Sequence, residues 1–335
     1  MADPMRFVIV GSGNIANTYV DVIRKLPDTR LVGIASRSGR KPSRLGDDPG
    51  VEVQSSLRDF KAPFDAVILA TPNGLHHEGI IEAARLGRHV LTEKPLEISL
   101  QAADRSIAAC RKAGVSLGVS FQRRMSPDNA AVKALISSGK LGRLFAADLA
   151  VKFFREQSYY DSAPYRGGWA VDGGGPFMQQ ASHQVDLYQW FFGMPRAVKS
   201  FTATLAHRME AEDHGAAVLQ HPGGMIGTIV ASTVARPGFP ARLEIHAEDG
   251  SFVMENDTIT RWMVDGLDNP SRRPSGTVHS GAGAAGALVA DTWGHETIVS
   301  DFVRAVRDKR PPAVTGEDAR LTTELILRIY RAARK

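Results

Sequence analysis

The amino-acid sequence predicts an α/β domain with a parallel sheet, followed by an α+β domain built on an antiparallel sheet. The first part of the chain alternates between short apolar strands and helical stretches, which is typical of parallel sheets covered by helices. The later strands instead follow one another across tight turns, as antiparallel strands do. The 335 residues are enough for two cores. We therefore expect domains at residues 1–122 and 123–335.

The first domain is expected to begin with a strand, a glycine-rich turn and a helix. The strand is predicted over Arg6–Val10, and a helical pattern runs from the turn to about Leu26. The remaining predicted strands are Leu31–Ser36, Asp65–Ala70, His89–Thr92 and Ser116–Phe121, and the remaining helices are Glu78–Leu86 and Leu100–Ala113. This order predicts a sheet with helices on both faces.

The pattern changes after Phe121. A helix is predicted near residues 128–137, a strand over Phe145–Phe153 and a long helix over Pro176–Phe192. Turns rich in glycine and proline then separate the predicted strands Ala197–Leu205, Gly215–His221, Met225–Val234 and Ala241–Ala247. Asn269–Ala287 has the composition of a long loop, and two helices follow, Glu296–Arg307 and Glu317–Ala333.

Composition and charge argue against several functional classes. The formal charge of +5 is mild, the basic residues are dispersed, and no zinc-finger or basic-region pattern occurs, so nucleic-acid binding is not expected. The longest apolar run, Ala66–Ala70, is far shorter than a membrane span. One cysteine, Cys110, allows neither an internal disulfide nor a cysteine-based metal site. With no signal-peptide pattern, we expect a cytoplasmic protein without a metal.

The turn after the first strand has the pattern of a dinucleotide-binding Rossmann motif. It reads Gly11-Ser12-Gly13-Asn14-Ile15-Ala16 and lies between a strand and a helix. Gly11 permits the tight turn, Gly13 lets the backbone approach a pyrophosphate, and Ala16 allows close helix–sheet packing. The N–H groups at the helix start, including those of Asn14 and Ile15, are expected to bind the phosphates.

The end of the second strand bears on the choice between NAD and NADP. An acidic residue there would bind a ribose 2′-hydroxyl and repel a 2′-phosphate. This chain has Ser36-Arg37 instead, with Arg40, Lys41 and Arg44 close behind. A hydroxyl and a guanidinium suit a phosphate, so we expect NADP in preference to NAD. The alternative interpretation is a solvated, basic start of a helix.

Two later motifs carry residues suited to proton transfer. Glu93-Lys94-Pro95 follows the His89–Thr92 strand, at the sheet edge where doubly wound folds bind ligands. Gly173-Gly174-Gly175-Pro176 precedes Gln179, His183 and Asp186, which would share one face if the helix began at Pro176. His183 is suited to exchange a proton near neutral pH.

Taken in order, these motifs resemble the Gfo/Idh/MocA family, named for glucose–fructose oxidoreductase and inositol dehydrogenase. The resemblance includes Thr71-Pro72-Asn73 with His76 and runs from about Met5 to Tyr330. It implies a Rossmann domain, an α+β domain with a large, mainly antiparallel open sheet, and an active site between the domains. It also implies a homodimer or homotetramer formed through that sheet.

The resemblance also implies roles for individual residues. Lys94 and His183 match the catalytic lysine and histidine. Positions that contact the cofactor in the family correspond to Thr71, Pro72, Asn73, His76, Glu93, Lys94, Gln122 and Trp169. Many members have aspartate where this chain has Gln179, which cannot act as a base, so His183 is left as the proton acceptor.

The loop from Arg155 to Trp169 is expected to bind the substrate. It resembles nucleotide-sugar 3-dehydrogenases that act on UDP-N-acetylglucosaminuronate. Arg155 and Arg166 are candidates for pairing with an anion, and Tyr159 for stacking on a ring. The predicted substrate-binding residues are Lys94, Arg155, Tyr159, Arg166, Gln179 and His183. A core role is the alternative for Tyr159-Tyr160, whereas His295 is interpreted as structural.

The function that fits these residues is hydride transfer between NAD(P) and a secondary alcohol or ketone of a sugar, polyol or sugar acid. One alternative is a glycosidase that retains its dinucleotide and oxidises the sugar transiently, as some members of the family do. Another is a dinucleotide-sensing regulator without activity, but a sensor would need neither Lys94 nor His183. Accumulation of the product cofactor distinguishes the first hypothesis from the second.

Overall fold

A computed structural model describes residues 3–271 and 292–334, which fall into two units. The first unit comprises residues 3–122 and 292–320, and the second comprises residues 123–271 and 321–334. Residues 292–320 were predicted to be part of the second domain, 123–335, but they belong to the first unit. Of the predicted loop Asn269–Ala287, residues 272–287 lie outside the described residues.

The first unit contains a six-stranded sheet in which all neighbouring strands are parallel. In chain order the strands are β1 (Met5–Val10), β2 (Thr29–Ala35), β3 (Glu52–Gln54), β4 (Ala66–Leu69), β5 (His89–Thr92) and β6 (Leu117–Val119). Their order in the sheet is β3-β2-β1-β4-β5-β6. The direction of winding therefore reverses between β1 and β4, and this switch point is where such folds bind ligands.

Three helices follow strands of this sheet: α1 (Asn14–Lys25), α2 (His76–Arg85) and α3 (Leu100–Ala113). The start of α3 is capped by the Ser99 hydroxyl, which accepts the Ala102 N–H at 3.2 Å. Gly114 ends the same helix with φ of +67°, a conformation that glycine adopts without strain. The start of α1 has no side-chain cap and no acidic residue in its first turn.

The second unit contains a seven-stranded, mainly antiparallel sheet, as predicted. Its strands are β7 (Leu144–Lys152), β8 (Ala197–Ala203), β9 (His214–Gln220), β10 (Ile226–Ser232), β11 (Arg242–Ala247), β12 (Gly250–Glu255) and β13 (Thr258–Val264). They lie in the order β13-β12-β11-β7-β10-β9-β8, and only β7 and β10 pair in parallel. The strands β3, β12 and β13 were not predicted from the sequence.

One face of this sheet is buried in an apolar core. Residues such as Leu149, Ile229 and Leu243 contribute to that core with apolar side chains of the neighbouring helices. The helices of this part of the chain are α4 (Pro127–Ser138), α5 (Gln157–Asp161) and α6 (Ser182–Phe192). Alternate strand residues are buried, for example Ala217 and Leu219 in β9, while those between them are exposed.

The last two described helices are α7 (Trp293–Arg307) and α8 (Gly316–Ala333). In the first unit, α7 packs on α1, and the Lys25 ammonium lies 2.6 Å from the Glu296 carboxylate. A bridge between Thr315 and Gly118 adds backbone pairing at β6. Within the described ranges, no helix is both long and apolar enough to cross a membrane.

Candidate active site

The glycine turn after β1 has the shape of a phosphate cradle. Gly11 has φ of +116°, and a Cβ atom there would lie 2.5 Å from the carbonyl oxygen of Ala70, so only glycine fits. A Cβ atom on Gly13 would meet nothing within 4 Å. Open space at Gly13 and the uncapped start of α1 at Asn14 and Ile15 suit the pyrophosphate of a dinucleotide. These residues therefore fit the predicted cofactor.

Two of the basic residues after β2 have carboxylate neighbours. The exposed Arg37 guanidinium lies 2.6 Å from Glu78, and that of Arg44 lies 3.7 Å from Asp21. Ser36 is buried at the end of the strand, and Arg40 is exposed. Exposed ion pairs contribute little free energy, so a phosphate could displace Glu78 at small cost.

The segments after β4 and β5 lie side by side because these strands are parallel neighbours. His76 is fully buried, and its Nδ1 lies 2.8 Å from the carbonyl oxygen of Pro95. Its Nε2 lies 3.0 Å from the carbonyl oxygen of Thr71. The His76 ring thus joins the Thr71-Pro72-Asn73 segment to the Glu93-Lys94-Pro95 segment.

Glu93 is held in a buried polar cluster of the first unit. Its carboxylate accepts the Tyr19 hydroxyl at 2.6 Å and the Lys94 N–H at 3.2 Å. The Nε2 atom of His295 lies 3.7 Å from Glu93 and 3.5 Å from the side-chain nitrogen of Gln122. Burial alone would raise the pKa of Glu93, but His295, Tyr19 and Lys94 together hold it below its usual value.

Tyr19 is a residue that the sequence analysis misses. It lies on the buried face of α1, three residues after the glycine motif, where an aromatic side chain is an ordinary core residue. No local sequence signal connects it to Glu93, which is 74 residues away.

The predicted helix from Pro176 to Phe192 begins six residues too early. Turns occupy residues 176–180, and α6 begins at Ser182. The prediction that Gln179, His183 and Asp186 share one helix face is therefore wrong. The Gln179 side chain donates to the carbonyl oxygen of Asp172 at 2.6 Å, and His183 lies partly exposed in the first turn of α6.

Asp186 belongs to the interior of the second unit. Arg124 donates two hydrogen bonds to its carboxylate, at 2.8 and 2.7 Å, and the Thr322 hydroxyl donates a third at 2.8 Å. Both members of the ion pair are almost fully buried. The bidentate geometry makes this a structural pair that anchors α6.

The glycine-rich loop before α6 is packed against Glu212 and Tyr330, two further residues that the sequence analysis misses. The buried Glu212 carboxylate accepts the Gly175 N–H at 3.0 Å and the Tyr330 hydroxyl at 2.8 Å. A Cβ atom on Gly175 would lie 1.7 Å from the carbonyl oxygen of Glu212, and one on Gly174 2.3 Å from the Tyr330 hydroxyl. The loop therefore requires glycine at both positions.

The predicted substrate loop presents a cluster of arginine and tyrosine. The Arg166 guanidinium lies 4.5 Å from the ring centre of Tyr159, and that of Arg155 lies 5.7 Å from it. Tyr160 is buried and hydrogen-bonds to Thr233, so it is a core residue. Tyr159 stays partly exposed.

Trp169 also lies in the second unit, where its ring packs edge-on against Tyr330 with 5.0 Å between centres. The backbone N–H of Trp169 donates to the Glu210 carboxylate at 2.9 Å. Among the residues described here, no group of three or more His, Cys, Asp or Glu side chains is arranged to hold a metal ion.

The chain matches two family models. Residues 5–121 match the oxidoreductase family with an NAD-binding Rossmann fold, GFO/IDH/MocA, and residues 129–253 match the GFO/IDH/MocA C-terminal domain. The WlbA dehydrogenase from Bordetella pertussis, solved in complex with NADH and UDP-GlcNAcA, is 33% identical with a TM-score of 0.86. That match covers 99% of this chain and 97% of the other.

Two curated relatives are also similar over most of their length. The 1,5-anhydro-D-fructose reductase of Ensifer adhaerens is 25% identical, covering 98% of this chain and 96% of that protein. The myo-inositol 2-dehydrogenase of Thermotoga maritima is 24% identical, covering 95% of this chain and 92% of that protein.

Proposed function

Because the chain belongs to the GFO/IDH/MocA family of NAD(P)-dependent oxidoreductases, we propose that it is a dehydrogenase or reductase of sugars, polyols or sugar acids. The reacting group is a secondary alcohol or the corresponding ketone. The observation that carries the proposal is the phosphate cradle at Gly11 and Gly13 on the same sheet edge as Lys94. The test is cofactor reduction in the presence of candidate sugars, polyols and sugar acids.

The residues proposed to hold the cofactor follow the carboxyl edge of the parallel sheet. The pyrophosphate is assigned to the turn and the start of α1, and the adenosine ribose to the end of β2. The nicotinamide half is assigned to the ends of β4, β5 and β6. The proposed set is Gly11, Gly13, Asn14, Ile15, Ser36, Arg37, Arg40, Thr71, Pro72, Asn73, His76, Glu93, Lys94 and Gln122, with Trp169 of the second unit.

Nicotinamide, when bound, accepts or supplies the hydride. In the oxidative direction His183 takes the proton from the reacting hydroxyl, and Lys94 donates a hydrogen bond to the hydroxyl oxygen. Gln179 is an amide and takes no proton, so it is assigned to substrate positioning. In the reductive direction His183 returns the proton to the same oxygen.

These roles predict a specific pattern in two variants. His183→Ala should lower kcat by about 10²–10⁴-fold, the usual effect of removing a positioned proton-transfer group. Lys94→Met should also lower kcat severely, because the reacting oxygen loses its hydrogen-bond donor. The Kd of the cofactor should change little in His183→Ala. Lys140→Met, a change at an exposed lysine, is the control. An unchanged kcat in His183→Ala would show that another group takes the proton.

We further propose that NADP binds more tightly than NAD. The support is the Ser36 hydroxyl and the Arg37 guanidinium at the end of β2, where no acidic residue stands. The preference should be at least about tenfold, since charge-assisted hydrogen bonds contribute about 1.5–3 kcal/mol. Glu78→Gln should increase it because Arg37 loses its competing partner, and Arg37→Asp should reverse it. Equal affinities in the wild-type protein would refute the preference.

We propose an anionic, hydroxyl-rich ring as the substrate. The Arg166–Tyr159 stack offers a cation beside an aromatic face, and the WlbA relative was solved with UDP-GlcNAcA, which carries acidic groups. Arg166→Ala should raise KM for an acidic substrate far more than for its neutral analogue. Arg105→Ala, at an exposed arginine of α3, is the matched control. An equal rise for both substrates would assign Arg166 a structural role.

A homodimer or homotetramer through the second sheet is also proposed. On its outer face the side chains of Phe201, Met263 and Val218 are 85%, 75% and 50% exposed. Apolar residues exposed on a sheet face of the single chain are typical of a surface that becomes buried when two copies associate. Phe201→Lys should shift light scattering towards the monomer, whereas a wild-type protein that is monomeric at micromolar concentration would refute the proposal.

A cytosolic location is proposed as well. Its support is the nicotinamide dependence together with a single cysteine, Cys110, which is buried. Burial raises the pKa of that thiol to about 12, so it stays protonated and unreactive. Cell fractionation that finds the protein outside the cytosol would contradict this assignment.

A further inference from the structure

A buried polar cluster beside Lys94 has no part in the proton transfer proposed above. It consists of Tyr19 on α1, Glu93 after β5, Ser120 after β6 and His295 on α7. The Tyr19 hydroxyl lies 2.6 Å from Glu93 and 2.6 Å from the Ser120 hydroxyl. The His295 ring packs edge-on against Tyr19 with 5.4 Å between centres. These four residues come from four separate parts of the first unit.

The cluster keeps a negative charge in an interior position. A buried carboxylate is costly unless donors surround it. Glu93 has the Tyr19 hydroxyl and the Lys94 N–H as donors, and the Nε2 atom of His295 lies 3.7 Å from its carboxylate. The pKa of Glu93 is held below its usual value, against the opposing effect of burial. Glu93 is therefore a carboxylate at neutral pH.

Glu93 lies on the side of the sheet that is assigned to the nicotinamide half of the cofactor. The phosphate cradle follows β1, so a dinucleotide with its adenosine side towards β2 would have its other half over β4 and β5. Glu93 follows β5 directly. An oxidised nicotinamide ring carries a positive charge, and a reduced ring is neutral. A fixed carboxylate near the ring stabilises only the oxidised form by charge attraction.

We propose that Tyr19 and His295 are positioning residues that hold Glu93 as a carboxylate beside the nicotinamide, so that the site favours the oxidised over the reduced cofactor. This inference rests on the proposed nicotinamide dependence. His295, which was interpreted as structural from the sequence, thereby acquires a role in cofactor preference, and so does Tyr19.

The test measures the Kd of the oxidised and of the reduced cofactor separately, by calorimetry and by nicotinamide fluorescence, without substrate. Glu93→Gln should raise the ratio of oxidised to reduced Kd by about tenfold. Tyr19→Phe and His295→Gln should each raise it by about threefold to tenfold, because a buried carboxylate that loses a partner is partly protonated or displaced from the ring. In the Glu93→Gln background neither change should alter the ratio further, because the charge on which both act is gone.

A matched control is Tyr188→Phe, which removes a buried tyrosine hydroxyl 3.1 Å from His221 in the second unit. It should leave the ratio unchanged. Equal weakening of both cofactor forms in Tyr19→Phe, or an unchanged ratio, would overturn the inference while the proposed function stands. A wild-type protein that binds neither form would overturn both. If His295→Gln does not fold, the Kd ratio of Tyr19→Phe alone tests the inference, because that change preserves the shape of the ring.

Discussion

Glu212 should make the stability of the second unit depend on pH in a predictable direction. Its carboxylate is buried against the glycine-rich loop, where it accepts the N–H groups of Gly175 and Phe177 and the Tyr330 hydroxyl. Burial outweighs these hydrogen bonds and raises the pKa of Glu212 to about 7. The native state therefore binds this proton more tightly than the unfolded chain does.

The size of the effect follows from the change in pKa. A rise from the ordinary value of 4.5 to about 7 corresponds to about 3 kcal/mol. Because the pKa is raised on folding, the contribution is present in full below about pH 4.5 and is lost as the pH rises through about 7. Glu212→Gln removes the titration. The free energy of unfolding of the wild type, minus that of Glu212→Gln, should therefore fall by about 3 kcal/mol from pH 4.5 to 8.

The assay is urea unfolding followed by tryptophan fluorescence at several pH values in that interval. Trp169, Trp190 and Trp262 lie in the second unit, so three of the four tryptophans report on it. The comparison holds only if the unfolding free energy depends on urea concentration with the same slope in both proteins. A difference that stays constant with pH, or that grows as the pH rises, would refute the reasoning about Glu212.

Two further predictions follow from local packing. Gly13→Ala should leave the unfolding free energy of the apoprotein nearly unchanged but weaken cofactor binding, because the added Cβ atom occupies only the open cradle. Gly11→Ala should instead destabilise the fold by about 1–3 kcal/mol, because its Cβ atom meets the Ala70 carbonyl in a left-handed conformation. Thermal melts and cofactor titrations of both variants distinguish the two effects. Asp186→Asn should cost about 3–5 kcal/mol in urea unfolding, because the buried Arg124 cation would lose the carboxylate that neutralises its charge; a cost under 1 kcal/mol would contradict that.

The parallel sheet was the most predictable part of the fold. His89–Thr92 is predicted to the residue, because a buried parallel strand is a continuous apolar run bounded by polar residues. The strands β12 and β13 were missed for a local reason. The pairing shifts register between Val253 and Met254, and this irregularity interrupts the alternation that identifies a strand. β3 has three residues, too few for any periodic signal.

The start of α6 was mispredicted because its determinants are distant in sequence. Pro176 after a glycine run is a typical helix start. In the structure, however, the neighbouring N–H groups of Gly175 and Phe177 are bound by Glu212, more than 30 residues away. Likewise, helical spacing placed Asp186 on the same face as His183, but its partner Arg124 is 62 residues away. Spacing along a helix predicts which side chains share a face, not which of them are already paired.

Residues 292–320 belong to the first unit but are synthesised after most of the second, and this order affects folding during synthesis. During synthesis the parallel sheet emerges first, but α7, which packs on α1 and supplies His295, follows only after the whole described sheet of the second unit. At ordinary rates of translation the interval is on the order of ten to forty seconds. Throughout that time the part of α1 that packs on α7 stays uncovered. A gene fragment ending at residue 122 would encode the same incomplete state permanently, so a separately expressed cofactor domain needs the later segment joined to it.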